Sequence, residues 1–185
     1  MPLLTTQSAK GYGFGSGASV APISTSYVSL GSVKLASNQT SVTFSSIPAT
    51  YKHLQVRIFQ QKSSGGNDAI LMHLNGDFTN GNYAYYSFLG DGTSTVQSLV
   101  DSAVIGSARS NGWNNTVITI PDYASTAKVK SYQSLSGSSS QTASAIFYVG
   151  TMWDNTAAIN AIRLTVSDGN PFITGSVFAL YGIKG

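Results

Sequence analysis

Alternation with a period of two constrains this chain more than any other feature. In HLQVRIFQ, residues 53–60, Leu54, Val56 and Ile58 fall on one side while Gln55, Arg57 and Phe59 fall on the other. Successive side chains of a strand point to opposite faces, so this is a strand with one face in a core and the other wet. Similar runs recur, and strands are expected at 27–35, 41–44, 53–60, 69–74, 83–88, 103–107, 115–120, 128–135, 144–149, 162–166 and 176–181. Between them lie SSGGND, NGDFTNGN, GDGTS, SGSSSQ and SDGNP, dense in the residues that turns require. The serine-rich SLSGSSSQ at 134–141 reads as a loop. Parallel strands would need crossover helices of about a dozen residues, and no segment carries that pattern. DNTAAINA, 154–161, allows one helical turn at most. The expected fold is all-β: an antiparallel two-sheet β-sandwich, jelly-roll-like, with an extended N-terminal arm.

Composition supports this reading. Charged residues are 9 % of the chain, against roughly 25 % in ordinary globular proteins, while 42 % is hydrophobic. All seven acidic residues are aspartate. Helices lean on glutamate for their exposed faces, whereas aspartate belongs in turns, and here Asp68, Asp77, Asp91, Asp122 and Asp168 each adjoin a turn former. The ten Lys and Arg residues and the net charge of +3 are dispersed, with no cluster beyond Lys128 and Lys130, so no nucleic-acid partner is expected. No apolar run approaches the roughly 20 residues of a membrane span, and the N-terminus lacks the pattern of a signal peptide, so no membrane partner is expected. At 185 residues the chain suits one core. Residues 1–22, rich in glycine and small side chains, form the arm, and 23–185 form the sandwich domain.

Within the arm, KGYGFGSGAS places glycines at alternate positions around two aromatic rings. A dinucleotide-binding loop would need a third glycine where Ser16 stands, a preceding strand and a following helix; a Walker loop would need its lysine after the glycines. Neither context is present. The glycines instead let the backbone lie close to a surface while Tyr12 and Phe14 anchor it, which makes Lys10, Gly11, Tyr12, Gly13, Phe14 and Gly15 a docking element.

Catalytic chemistry finds few candidates. A serine nucleophile needs a histidine base, and His53 and His73 stand apart from any nucleophile elbow, at strand positions expected to face solvent. Zinc would need three or four Cys, His or carboxylate ligands, and the chain has no cysteine. Asn75, Asp77 and Thr79 resemble the start of a calcium loop without its closing bidentate glutamate. The aspartates are explained by turn duty rather than as a glycosidase pair. No cofactor, metal site or catalytic residue is assigned, and the chain reads as a non-enzyme. Trp113 and Trp153, flanking loops, and Tyr86 are candidates for a glycan platform, the competing role for tryptophan being core packing. The sequons at Asn38 and Asn114 carry little weight in a chain so rich in asparagine and threonine.

Three segments carry a resemblance: SAKGYGFGSG at the start, VTFSSIPATYKHLQVRI with LNGDFTNGNYAYYSFLGDGTS in the middle, and VFALYGIKG at the end. Together they resemble small β-sandwich virion proteins of tailed bacteriophages, a group that includes head decoration (cement) proteins, head fibres and tail-fibre components. The resemblance implies a structural protein of the particle, located on the phage head surface and assembled in the bacterial host cytoplasm. Its implied partners are the major capsid protein and further copies of itself, as a homotrimer. The short arm and compact body favour a decoration protein that stabilises the shell over a fibre, whose shaft would need heptads or a β-helix. The alternative is a glycan-binding tail or head fibre component for host attachment.

Overall fold

The computed structural model describes residues 26–90, 95–100, 102–139 and 144–185. Twelve strands account for most of them: β1 Tyr27–Lys34, β2 Ser41–Phe44, β3 His53–Gln60, β4 Asn67–Leu74, β5 Tyr83–Gly90, β6 Thr95–Val100, β7 Val104–Arg109, β8 Asn114–Pro121, β9 Lys130–Ser139, β10 Ser144–Trp153, β11 Ile162–Val166 and β12 Val177–Ile183. A single 3-10 turn, Asn80–Asn82, precedes β5. All pairings between strands are antiparallel. They form an eight-stranded sheet, β1-β12-β3-β8-β9-β10-β5-β6, and a four-stranded sheet, β2-β11-β4-β7.

The winding is that of a jelly roll. In chain order β1, β3, β8 and β12 of the large sheet alternate with β2, β4, β7 and β11 of the small one except at β4 and β7, which pair with each other, and the first and last strands lie side by side. Two hairpins are inserted into this frame, β5–β6 between β4 and β7, and β9–β10 between β8 and β11. Both extend the large sheet beyond β8. The result is a sandwich in which one sheet is twice as wide as the other.

The core sits where the two sheets face each other. Leu54, Val56 and Ile58 of β3, Ile118 and Ile120 of β8, Ile70, Met72 and Leu74 of β4, and Ile162 and Leu164 of β11 are all buried. Burying a side chain of this size contributes about 1.5–3 kcal/mol each, which sets the period-two burial of β3, β8 and β11. Towards the inserted hairpins the filling changes. β7 packs across β9 and β10 so closely that a Cβ on Gly106 would lie 2.9 Å from Ser136. Only small side chains fit there, and they are hydroxylic: Ser134 donates to the Ile105 carbonyl at 2.7 Å, Thr151 to the Val104 carbonyl at 2.8 Å, and Thr116 to Ser136 at 2.9 Å.

This close approach explains a departure from the sequence reading. Residues 134–139 are not a loop but the second half of β9, with Ser134, Ser136 and Ser138 turned inward. β6 lies in a segment where no strand was expected, and 154–161 forms no helical turn. That last segment is held extended by Asn75, whose side-chain oxygen accepts from the Asn160 and Ala161 amides at 2.8 and 3.1 Å. Asn75 and Gly76 both have positive φ, 52° and 75°, the conformation that favours an Asn-Gly pair.

Candidate interaction surface

Across β12, β3, β8, β9, β10 and β5 the outer face of the eight-stranded sheet is almost uncharged and carries a run of apolar side chains among neutral polar ones. Strand register sets Ala179, Arg57, Val117, Leu135, Tyr148 and Phe88 in one row across β12, β3, β8, β9, β10 and β5. Leu135 is 55 % exposed, and Ile146, in the next row, 61 %. Single exposed hydrophobics are ordinary, but a contiguous set of this kind marks a contact surface. Arg57 is the only charged side chain that these six strands turn outward. It is itself partly covered: its guanidinium lies over the Tyr181 ring at 4.9 Å and the Tyr27 ring at 5.7 Å, and Nε donates to Gln55 at 2.8 Å. Beside it runs a shallow groove of about 510 Å3 lined by Phe59, Asn115, Val117, Leu135, Val177 and Tyr181.

The three candidate platform rings do not come together. Trp113 is 38 % exposed and stacks face to face on Phe59, with centroids 4.9 Å apart and planes 6° apart, at one end of the groove. Tyr86 is 49 % exposed on β5, three strands beyond β8, which follows Trp113 in the chain. Trp153 is a correction: at 1 % exposure it belongs to the core, stacked near Tyr83 at 6.3 Å, and its indole N–H donates to Asp77 Oδ2 at 2.8 Å. Buried tryptophan needs such a partner, and no face of this ring is available to a sugar. The docking element Lys10, Gly11, Tyr12, Gly13, Phe14 and Gly15 lies outside the described residues.

Asp77 is thereby accounted for. Its carboxylate also accepts from Asn82 at 2.9 Å and from the Thr79 amide at 3.0 Å. The indole hydrogen bond, together with these, holds the carboxyl below its ordinary value. The calcium-loop oxygens are therefore committed to shaping the loop. His73 is a second correction, since it is not solvent-facing but 7 % exposed, covered by Phe78 at 5.0 Å and Tyr83 at 5.8 Å. Burial and the neighbouring Arg163 push its pKa down, so the ring is neutral at pH 7. His53 is half-buried and accepts from the Asp122 amide at 3.1 Å.

Most of the buried or paired charges are structural pins. Lys62 is fully buried between Asp68 and Asp168, the latter at 2.6 Å. Burial works against its charge, but hydrogen bonds to Asp168 and Asp68 outweigh it and the amine is held above its ordinary pKa. Burial likewise pushes Asp168 up, while Lys62 and Asn170 pull it well below the usual carboxylate range. Lys130, also buried, donates to the carbonyls of Ser125, Thr156 and Lys128 at 2.6, 2.9 and 3.1 Å, which uses all three ammonium protons. Asp122 bridges Lys52 and Lys128, each at 2.8 Å, beside a hollow of about 290 Å3; the hydrogen bonds from Lys128 and then Lys52 depress its pKa. Among the described residues no group of three His, Asp or Glu side chains is placed to hold a metal ion.

Sequence reasoning missed the outer face as a unit. Its members were visible one at a time, as Phe59 was, but the order of strands in the sheet is what makes them neighbours. Compared with known proteins, the chain matches no protein-family model and no curated protein.

Proposed function

We propose that the protein is a structural component of a tailed-phage virion, a decoration protein that binds the head shell and stabilises it. The observation that carries this reading is the wide, almost uncharged outer face of the eight-stranded sheet, with Leu135 and Ile146 more than half exposed. A surface like this is unfavourable in water and is built to be covered, as the cores of protein interfaces are. A fold alone does not fix a function, and jelly rolls serve capsids and lectins alike. The resemblance to virion proteins and the glycine-rich arm point to the first use. In this reading residues 10–15 grip the major capsid protein and the bodies contact one another, as trimers where the shell offers threefold positions.

Cosedimentation tests it. Full-length protein mixed with purified heads should pellet with them, and protein lacking residues 1–22 should stay in the supernatant. Full-length protein that fails to pellet with heads would overturn the reading.

One observation favours a second reading, a glycan-binding fibre component: the Phe59–Trp113 stack at the end of a groove that also presents Asn115 and Tyr181. Flat aromatic faces beside amide and hydroxyl groups suit the apolar face of a sugar and its hydroxyls. Trp113→Ala would then abolish binding on a glycan array. A wild-type protein that binds no glycan would retire this alternative.

A further inference from the structure

We infer that the outer face of the eight-stranded sheet is covered by a second copy of this chain. The inference rests on the reading that the bodies contact one another and names the surface that one copy offers another; a face that meets its own copy joins bodies in pairs about a twofold axis, a contact separate from any made around a threefold position.

Size comes first. Six strands about 4.8 Å apart, each showing about 25 Å of length, present a face on the order of 700 Å2. A stable interface takes roughly 800 Å2 per partner, so this face supplies most of one by itself. Charge comes second. An acidic or basic partner surface would leave its charges desolvated and unpaired against these strands, whereas a copy of the same neutral face would not. Arg57, the one exception, brings its own aromatic cover in Tyr181 and Tyr27.

Relief comes third. Tyr148 projects from β10, flanked on the same strand by Ile146 on one side and Gly150 on the other, and Phe88 opposite it on β5 is followed two residues on by Gly90. A Cβ at Gly150 or Gly90 would meet none of the described residues within 4 Å, so each glycine is an open notch beside a large knob. A face that carries both knobs and notches can interlock with a copy of itself, which is how homo-oligomer interfaces reach the packing density of a protein interior.

The test is the mass of the full-length protein in solution, with no shell present. The wild type should sediment as an oligomer at micromolar concentration. A variant with Leu135→Lys and Tyr148→Lys should fall to the 19.3 kDa of one chain and still unfold in one cooperative thermal transition, because both side chains are exposed on the single body, with the midpoint lowered only by the lost association. Protein lacking residues 1–22 should keep the wild-type number of copies per particle in solution. A wild type that is monomeric at about 100 µM, weaker than about 5 kcal/mol of association, would overturn the inference. So would a double-lysine variant that keeps the wild-type mass, or an assembly lost only when the arm is removed. Failure of heads to bind an intact oligomer would sink the decoration reading and leave this contact standing.

Discussion

Lys130 shows how individual residues hold this molecule together. Its ammonium group is caged by three backbone carbonyls from the β8–β9 connection and from the segment after β10, with no carboxylate among them. Burial and nearby Lys128 lower its pKa, yet the cage satisfies every proton. Lys130→Met keeps the volume and strands the three carbonyls, so it should destabilise by about 2–3 kcal/mol in urea unfolding. Gly182 is a second such point, because a Cβ there would lie 2.4 Å from the Tyr51 ring. Gly182→Ala should cost about 1–3 kcal/mol by the same measurement.

Lys62 and Asp168 predict the pH profile. The Asp168 carboxyl is depressed in the folded state, so its contribution is present above the unfolded value near 3.9 and is lost as pH falls through the folded value. The Lys62 amine is raised, so its contribution is present below the unfolded value near 10.4 and is lost as pH rises through the folded one. Urea midpoints should therefore form a plateau between about pH 7 and 10, with a fall on the alkaline side and an acid fall that begins with buried His73, whose lowered pKa favours the unfolded chain below about pH 6.5, and steepens as the carboxylates take up protons. Asp168→Asn should make the acid limb shallower, Asp77 and Asp122 supplying the remainder, and an unchanged limb would assign it to other groups.

Among the elements, β9 and β7 form the least ordinary contact. Serines on β9 replace the aliphatic residues of a standard core because β7 crosses at hydroxyl distance. Ser136→Val should force the sheets apart and lower stability by about 1–3 kcal/mol, visible as a lower melting temperature. A neutral result would mean that β7 has room to move.

The same contact explains what could be read from the chain in advance. Central strands such as β3 and β8 announce themselves because aliphatic residues meet aliphatic residues across the sandwich. The second half of β9 does not, since its inward positions are serine and its alternation is invisible to hydropathy. Trp153 was legible in principle: extending the inward phase of Ala145 and Val149 through Thr151 reaches it. His73 was not. Its phase on β4 is outward, opposite to Met72 and Leu74, and it is buried only because Phe78 and Tyr83 fold back over it. Contacts made by a loop with a distant ring leave no period in the sequence.

At the scale of the whole molecule, the two inserted hairpins matter most. Without them the sandwich would have four strands on each side, and its outer faces would be those of an ordinary small domain. With them the large sheet gains an extension that the small sheet covers chiefly through β7, with Leu74 and His73 of β4 meeting Tyr83 of β5, and an outer face wide enough to serve as an interface. β1, the first of the described strands, forms one edge of that same sheet. Removing residues 1–22 should leave the body's melting temperature within a few degrees of the wild type, since the buried core among the described residues runs from Leu35 to Leu180.

The most direct measurement is the position of this chain on intact virions, seen as density in an averaged reconstruction of the particle. The account predicts copies bound at regular lattice positions over the head, with neighbouring bodies meeting through the outer faces of their eight-stranded sheets. Density found at the tail tip, with the head lattice bare of it, would contradict the account.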